Sequence, residues 1–178
     1  ILAYTYVNYG EYDKAKDILL PTLKKAEDIN DHKNIANASN SIAIIYANQN
    51  SLDTALIYYE RCLELQKQLG NKEGEAQTYN NIGALYSNNG DHEKGLEYFL
   101  NNLAIHEEME NKRGQAGVLN NIGSTYNGMG DNQNALKSCL KSIELKIEID
   151  DDAYSFLWSY FSTSFVYAAL DDFKNEMI

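Results

Sequence analysis

The chain repeats a pattern every 40 residues. The feature that marks the period is a tyrosine, found at Tyr6, Tyr46, Tyr86 and Tyr126, with Tyr167 following one residue late. Each tyrosine comes four or five residues before a turn-forming pair, such as Gly90-Asp91. A fixed period of this length is typical of solenoids, in which supersecondary units stack and each contacts only its neighbours. The period therefore predicts a repeat architecture and indicates that the repeated tyrosines are packing residues.

Each repeat contains two helical patterns. Within residues 75–114, apolar and small side chains recur at helical spacing from Ala76 to Tyr86 and again from Leu96 to Leu103. Between the two patterns, Gly90 is predicted to end the first helix in a left-handed conformation, and Asp91 to cap the second. Ser51 and Asp131 occupy the same cap position in the neighbouring repeats. The sequence therefore predicts an all-α chain in which each repeat has a helix A, a tight turn, a helix B and a short link.

One position of helix A always carries a small residue. Gly83 and Gly123 occupy it in two repeats, and Ala43 occupies it in another. Because glycine inside a helix costs about 1 kcal/mol relative to alanine, its presence here needs a structural reason. We expect helix B to approach the backbone of helix A closely at this point, with the repeated tyrosine filling the space beside it.

These residues resemble the tetratricopeptide repeat signature. The resemblance is carried by Asn81-Ile82-Gly83-Ala84-Leu85-Tyr86 with Gly90-Asp91, and by Asn121-Ile122-Gly123-Ser124-Thr125-Tyr126 with Gly130-Asp131. The 40-residue spacing is similar to the long-helix variant found in Pins-type adaptors, kinesin light chains and bacterial regulators. The resemblance implies a right-handed α-solenoid of stacked antiparallel helix pairs, with the A helices on the concave side. It implies one domain over residues 1–178, with repeats at about 1–34, 35–74, 75–114, 115–154 and 155–178.

Composition excludes several classes of partner. The net charge is −11 and the pI is about 4.6, which disfavours nucleic acids and anionic membranes because both are bound through clustered Lys and Arg. Cys62 and Cys139 lie on apolar helix faces, so we expect two buried, reduced thiols. The chain begins and ends within a repeat, so we expect it to be a segment of a longer polypeptide. We expect a cytoplasmic location.

The sequence offers no pattern typical of catalysis or of cofactor binding. His32, His92 and His106 each lack a second ligand at metal-binding spacing, and we expect His32 and His92 to lie on the solvated surface. No nucleophile with a partner base and no phosphate-binding glycine loop is present. We therefore expect neither enzymatic activity nor a metal or other cofactor.

Charge is sorted between the two helix types. The A-helix segments 34–50, 76–89 and 115–129 contain no charged residue, while the B helices and links carry most of the Lys, Arg, Asp and Glu. The polar side chains of the A helices are mainly amides, and amides pair with both groups of a peptide unit. The predicted groove residues are Asn37, Asn40, Ser41, Gln77, Asn80, Asn81, Asn88, Asn120, Asn121, Ser124, Trp158 and Phe161. In superhelical relatives such as the O-linked sugar transferase, an asparagine ladder holds a peptide, and the resemblance assigns its positions to Asn81 and Asn121.

Two features of this groove have alternative interpretations. The abundance of Asn also fits a compositional bias, since Asn is common in the links as well. Trp158 and Phe161 form one aromatic stripe with Phe165, and this stripe fits either a pocket at the end of the groove or core packing. For each feature, both interpretations fit the sequence.

The sequence supports three functional hypotheses. The leading hypothesis is a protein–protein interaction module that binds an extended peptide or a partner helix in an uncharged, Asn-rich groove. The second is a regulatory or sensor segment of a larger signalling enzyme or transcription regulator. The third is a scaffold that self-associates by stacking its end repeats, giving a homo-oligomer.

Overall fold

The protein is represented by a computed structural model that describes residues 2–149, and the regular structure in this range is entirely α-helical. The helices are α1 (Leu2–Asn8), α2 (Tyr12–Asp28), α3 (His32–Asn48), α4 (Leu52–Gln68), α5 (Lys72–Asn88), α6 (His92–Glu108), α7 (Lys112–Gly128) and α8 (Asn132–Glu148). The odd-numbered helices are the A helices and the even-numbered helices are the B helices of the predicted repeats. The prediction of an all-α fold made of successive helix pairs is confirmed.

The turns follow a rhythm of 20 residues, half the period seen in the sequence. A residue with positive φ follows each helix from α1 to α7, at Gly10, Asn30, Asn50, Gly70, Gly90, Glu110 and Gly130. Gly90 has φ +86°, and the next amide, Asp91 N, donates to the Tyr86 carbonyl at 3.0 Å, which satisfies an otherwise unpaired helix-end carbonyl. The predicted left-handed cap at Gly90 is confirmed. The same kind of turn also links helix B to the next helix A, as at Gly70.

Side-chain caps begin two of the four described B helices. Asp91 Oδ1 accepts from the Lys94 amide at 3.2 Å, and Asp131 Oδ1 accepts from the Asn134 amide at 3.1 Å. These bonds satisfy amides that have no partner inside the first helical turn. Both predicted aspartate caps are confirmed. Ser51 occupies the N-cap position of α4 but makes no side-chain cap hydrogen bond, so that cap is only positional.

The chain forms two compact units that divide within α5, between Leu85 and Tyr86. In the first unit, α1 packs on α2, α2 on α3 and α3 on α4; in the second, α6 packs on α7 and α7 on α8. The core of the first unit consists of Val7, Ala15, Leu19, Leu23, Ala26, Ile35, Ala38, Ile42 and Ile45. Among the described residues of the second unit, the largest fully buried side chain is Phe99. Contacts between helices that are adjacent in sequence are the packing mode of repeat proteins.

The small position in helix A is explained by close helix packing. A Cβ at Gly123 would lie 2.8 Å from Sγ of Cys139 and 3.2 Å from the carbonyl oxygen of Ala135, both on α8. The expected close approach of helix B to helix A is therefore confirmed in this repeat. A side chain larger than hydrogen at position 123 would force α7 and α8 apart.

The repeated tyrosines pack between the two helices of one repeat. Tyr46 of α3 stacks on Tyr58 of α4, with ring centroids 5.9 Å apart, and Tyr86 stacks on Tyr98 of α6 at 5.6 Å. Such offset-stacked pairs stabilise a fold by about 0.5–1.5 kcal/mol beyond their buried area. These tyrosines are half-buried, and their partners are aromatic rings of helix B.

Candidate functional site

The described residues hold none of the groupings that metal binding requires. Among residues 2–149 there is no group of three or more His, Cys, Asp or Glu side chains placed to hold a metal ion. In the same range, no helix is both long enough and apolar enough to cross a membrane. His32 is exposed, as expected. The expectation for His92 was wrong: it is half-buried and packs on α7, where a Cβ at Gly128 would lie 2.8 Å from its Cε1.

The two cysteines are structural residues. Cys62 and Cys139 are both buried and neither forms a disulfide bond, which confirms the prediction of buried thiols. The Cys62 Sγ lies 3.4 Å from the Thr78 hydroxyl, which in turn donates to the Gly74 carbonyl at 2.7 Å. Burial raises the pKa of the Cys62 thiol, and the hydrogen bond with Thr78 opposes that shift only partly. A buried thiol with a raised pKa is a poor nucleophile at neutral pH.

In the first unit, the predicted groove residues come together across two neighbouring A helices. Asn81 of α5 donates from Nδ2 to Oδ1 of Asn40 on α3, at 3.0 Å. Asn37 and Gln77 are exposed, while Asn40, Ser41, Asn80 and Asn81 are half-buried. The amide contact is diagonal, since the 40-residue period aligns Asn81 with Ser41. The sequence identified both residues of the pair but not their contact.

The amide pair retains hydrogen-bonding groups that its own contact does not use. The Asn40 carboxamide accepts through Oδ1, so its two N–H groups are not involved in the contact. Asn81 donates one N–H, and its Oδ1 is likewise not involved. The Ser41 hydroxyl instead donates to the Asn37 carbonyl of its own helix at 3.0 Å. The pair therefore offers donors and an acceptor on one surface, and Ser41 does not extend it.

In the second unit, the predicted residues lie on α7 and on the last turn of α5. Asn88 and Ser124 are exposed, and Asn120 and Asn121 are half-buried. The Thr125 hydroxyl donates to the Asn121 carbonyl at 2.9 Å and lies 3.3 Å from the Ser87 hydroxyl of α5. Polar side chains thus link neighbouring A helices in this unit too. The remaining predicted residues, Trp158 and Phe161, lie outside the described residues.

A cavity of about 360 Å³ opens beside some of the predicted residues in the first unit. Its lining residues come from α1, α2 and α3: Leu2, Ala3, Ile18, Leu19, Thr22, Asn34, Asn37, Ala38 and Ser41. It lies beside α1, which has 7 residues whereas α3 has 17. The lining is apolar at α1 and on much of α2, and polar along α3. No sequence pattern predicts this cavity, because it depends on how three helices meet.

Charge is excluded from most of these A helices. In α5 the acidic residues Glu73 and Glu75 lie in the first turn, and the helix is uncharged from Ala76 to Asn88. In α3 the charged residues are likewise confined to the start of the helix, at Lys33. The surface that carries the Asn40–Asn81 pair therefore presents amide and hydroxyl groups without formal charge.

Comparison with known proteins gives the family. One model of the tetratricopeptide repeat matches residues 74–146, and a second model of the same repeat matches residues 36–69. The chain is a tetratricopeptide repeat protein. No curated protein matches its sequence. The fold of these repeats is typical of non-catalytic modules for protein–protein interaction.

Several solved structures share the fold of this tetratricopeptide repeat chain. BtubC (BKLC) from P. vanneervenii superposes with a TM-score of 0.84 at 20% identity, over 97% of this chain and 72% of that one. A putative kinesin light chain from Podosopora anserina, with nearly identical repeats, gives 0.79 at 15% identity, over 98% and 86%. A Rap protein complexed with Competence and Sporulation Factor gives 0.71 at 16% identity, over 97% and 50%. At these identities the similarity shows the fold alone.

Proposed function

We propose that this tetratricopeptide repeat protein binds an extended peptide, or an unwound stretch of a partner protein, along the uncharged surface of its A helices. The observation that carries the proposal is the hydrogen bond between Asn81 Nδ2 and Asn40 Oδ1. This bond fixes two carboxamides from neighbouring repeats in one orientation before a ligand arrives. Preorganised side chains lose less conformational entropy on binding.

The chemistry of the pair suits a peptide main chain. A peptide unit presents one N–H and one C=O, and the pair has N–H groups on Asn40 and a carbonyl oxygen on Asn81 outside its own contact. A ligand bound in this way is recognised by its backbone, so its side chains contribute less to recognition. An extended ligand is required, because in a helix those backbone groups already bond to each other.

Because the surface lacks charge, it does not favour ligands that are recognised through ionic contacts. No Lys or Arg occurs between Asn34 and Asn50 or between Ala76 and Asn89, so ligand carboxylates have no ionic partner on these stretches. Affinity should then depend only weakly on ionic strength, since salt screens charges rather than neutral hydrogen bonds. The structural similarity to a Rap protein complexed with Competence and Sporulation Factor is consistent with a binding role for this fold.

The test is selection followed by mutation. Random 12-residue peptides displayed on phage are selected against the protein, and the affinities of the selected peptides are measured by titration calorimetry. Asn40→Ala together with Asn81→Ala is expected to weaken binding at least tenfold, which is about 1.4 kcal/mol. Circular dichroism is expected to show an unchanged helix content, because both residues are only half-buried.

A matched control is available on helix B. Asn101 is an exposed residue of α6, so Asn101→Ala makes the same chemical change away from the A helices and should leave affinity unchanged. The proposal fails if the double variant binds as tightly as the natural chain. It also fails if affinity falls tenfold between about 50 and about 500 mM salt, because that would indicate ionic recognition.

A further inference from the structure

The junction between α6 and α7 contains a buried histidine. His106, in the last turn of α6, is only 7% exposed. Its Nδ1 lies 3.3 Å from Nδ2 of Asn111, the N-cap residue of α7. Gly114 lies against the ring, since a Cβ at that position would be 2.5 Å from Cε1 of the imidazole. Gln115 adds a hydrogen bond from Nε2 to the His106 carbonyl at 3.1 Å.

The orientation of the Asn111 amide assigns the protonation state of His106. The Asn111 Oδ1 accepts from the Gly114 amide at 2.9 Å, and only the oxygen of a carboxamide is able to accept. The other atom, Nδ2, therefore faces Nδ1 of His106, and an amide nitrogen is able only to donate. Nδ1 must then carry a lone pair, which makes the ring neutral with its proton on Nε2.

The preceding repeat contains the same junction with glutamine in place of histidine. Asn71 Oδ1 accepts from the Gly74 amide at 3.2 Å, and Asn71 Nδ2 donates to Gln66 Oε1 at 2.8 Å. On its other side, Gln66 Nε2 points to Cys62 Sγ at 4.0 Å. Gln66 therefore accepts from the cap residue and donates towards the residue one turn earlier. A neutral histidine with its proton on Nε2 has the same two functions.

A buried acceptor precedes His106 by four residues on α6. Asn102 is four residues before His106, as Cys62 is before Gln66, and it is 2% exposed. Its Oδ1 is buried and has no hydrogen-bond partner among the described residues. A buried carbonyl without a partner is costly, so a nearby N–H is favoured.

We propose that neutral His106 stabilises the junction between α6 and α7, and that protonation of Nδ1 destabilises this junction. Protonation turns the acceptor into a donor that faces the Asn111 N–H groups, so Asn111 must rotate and its cap on Gly114 is lost. Three residues that touch His106 from the link and from α7 are uncharged: Asn111, Gly114 and Gln115. The charged residues nearest in sequence on α6, the link and α7 are exposed: Glu107, Glu108, Glu110, Lys112 and Arg113.

The direction in which stability changes with pH depends on whether the folded junction binds neutral or protonated His106. The folded junction binds neutral His106, and the unfolded chain places no such restriction on the ring. The unfolded state therefore binds more protons on acidification, and stability is lost as the pH falls. Because α7 carries Asn120, Asn121 and Ser124, acidification also loosens the start of a helix that bears predicted groove residues.

The first test replaces His106 with the residue found at the equivalent position of the preceding repeat. In His106→Gln, position 106 acquires the residue of the preceding junction. Urea unfolding is measured at about pH 7.5 and about pH 5.5. As the pH falls, the unfolding equilibrium constant should rise more for the natural chain than for the variant. The difference should be up to about tenfold per pH unit. Asp31, Asp91 and Asp131 do not interfere, because hydrogen bonds hold their pKa values below the usual range.

Two further measurements keep the proposal testable if His106→Gln fails to fold. Ring ¹⁵N spectra of the natural chain at neutral pH should show His106 protonated on Nε2 alone, and the Gly114 amide should lose hydrogen-exchange protection on acidification. His32→Gln, at an exposed position, should keep the natural pH dependence. The proposal is overturned if Nδ1 carries the proton at neutral pH, or if His106→Gln has the same pH dependence as the natural chain.

Discussion

The packed side and the open side of α7 both carry glycine, and for different physical reasons. On the packed side, a Cβ at Gly114 would meet the His106 ring at 2.5 Å, and a Cβ at Gly123 would meet Cys139 at 2.8 Å. On the open side, nothing lies within 4 Å of the position that a Cβ at Gly117 would take. The repeat aligns Gly117 with Asn37 and Gln77, which are exposed residues on the A helices. The comparison shows that the same residue type reports close packing at one position and open space at another.

The largest effect is expected on the packed side, at Gly114. Gly114→Ala should lower the free energy of unfolding by about 2 kcal/mol, because overfilling a packed junction usually costs 1–3 kcal/mol and outweighs the gain in helix propensity. Urea unfolding measured by circular dichroism gives the value. If Gly114→Ala raises stability instead, the close approach of α7 to His106 is not present in solution.

A second variant isolates the contact between Gly114 and His106. In the first junction, Ala26 and Asn34 occupy the equivalent positions, so a small residue on helix B accompanies a larger one on helix A. The double variant His106→Ala with Gly114→Ala should therefore cost less than the sum of the two single variants. A coupling of about 1 kcal/mol or more is expected for residues in direct contact. Additive costs would show that the two residues do not share one space.

A smaller loss is expected from a buried hydroxyl on the packed side. Ser142 of α8 is fully buried, and its Oγ donates to the Ala116 carbonyl of α7 at 2.7 Å. Ser142→Ala should lower stability by about 1–1.5 kcal/mol, the usual net contribution of one hydrogen bond. Ser138 is the matched control, because its hydroxyl donates to Asn134 in its own helix at 2.9 Å. An equal loss of stability for Ser138→Ala would mean that the hydrogen bond between helices contributes no more than one within a helix.

The architecture could be predicted because its signals are local. The tyrosine period, the left-handed Gly90 and the caps at Asp91 and Asp131 depend on residues within a few positions of one another. The packing of Gly123 was also predictable, because an isolated small position in an amphipathic helix indicates a close neighbour. These signals fix the helix pairs without any knowledge of contacts distant in sequence.

The site was harder to predict because it depends on contacts between repeats. Asn81 bonds to Asn40, 41 residues away, one residue out of line with the period that aligned Asn81 with Ser41. His92 is half-buried and its ring lies against Gly128 of α7, a contact that nothing near His92 in sequence indicates. Local patterns therefore identified polar residues on the right helices but not their partners.

The smallest effect is expected on the open side, and it has the opposite sign. Gly117→Ala should raise the free energy of unfolding by about 0.5–1 kcal/mol, because alanine favours the helix and its methyl group meets no neighbour. The same urea experiment measures it, with Gly114→Ala as the steric counterpart on the same helix. A loss of stability at Gly117 would mean that this side of α7 is covered in solution, and the contrast between the two sides would then disappear. A gain at Gly117 beside a loss at Gly114 would establish that α7 is packed on one side only, which leaves its other side accessible to a ligand.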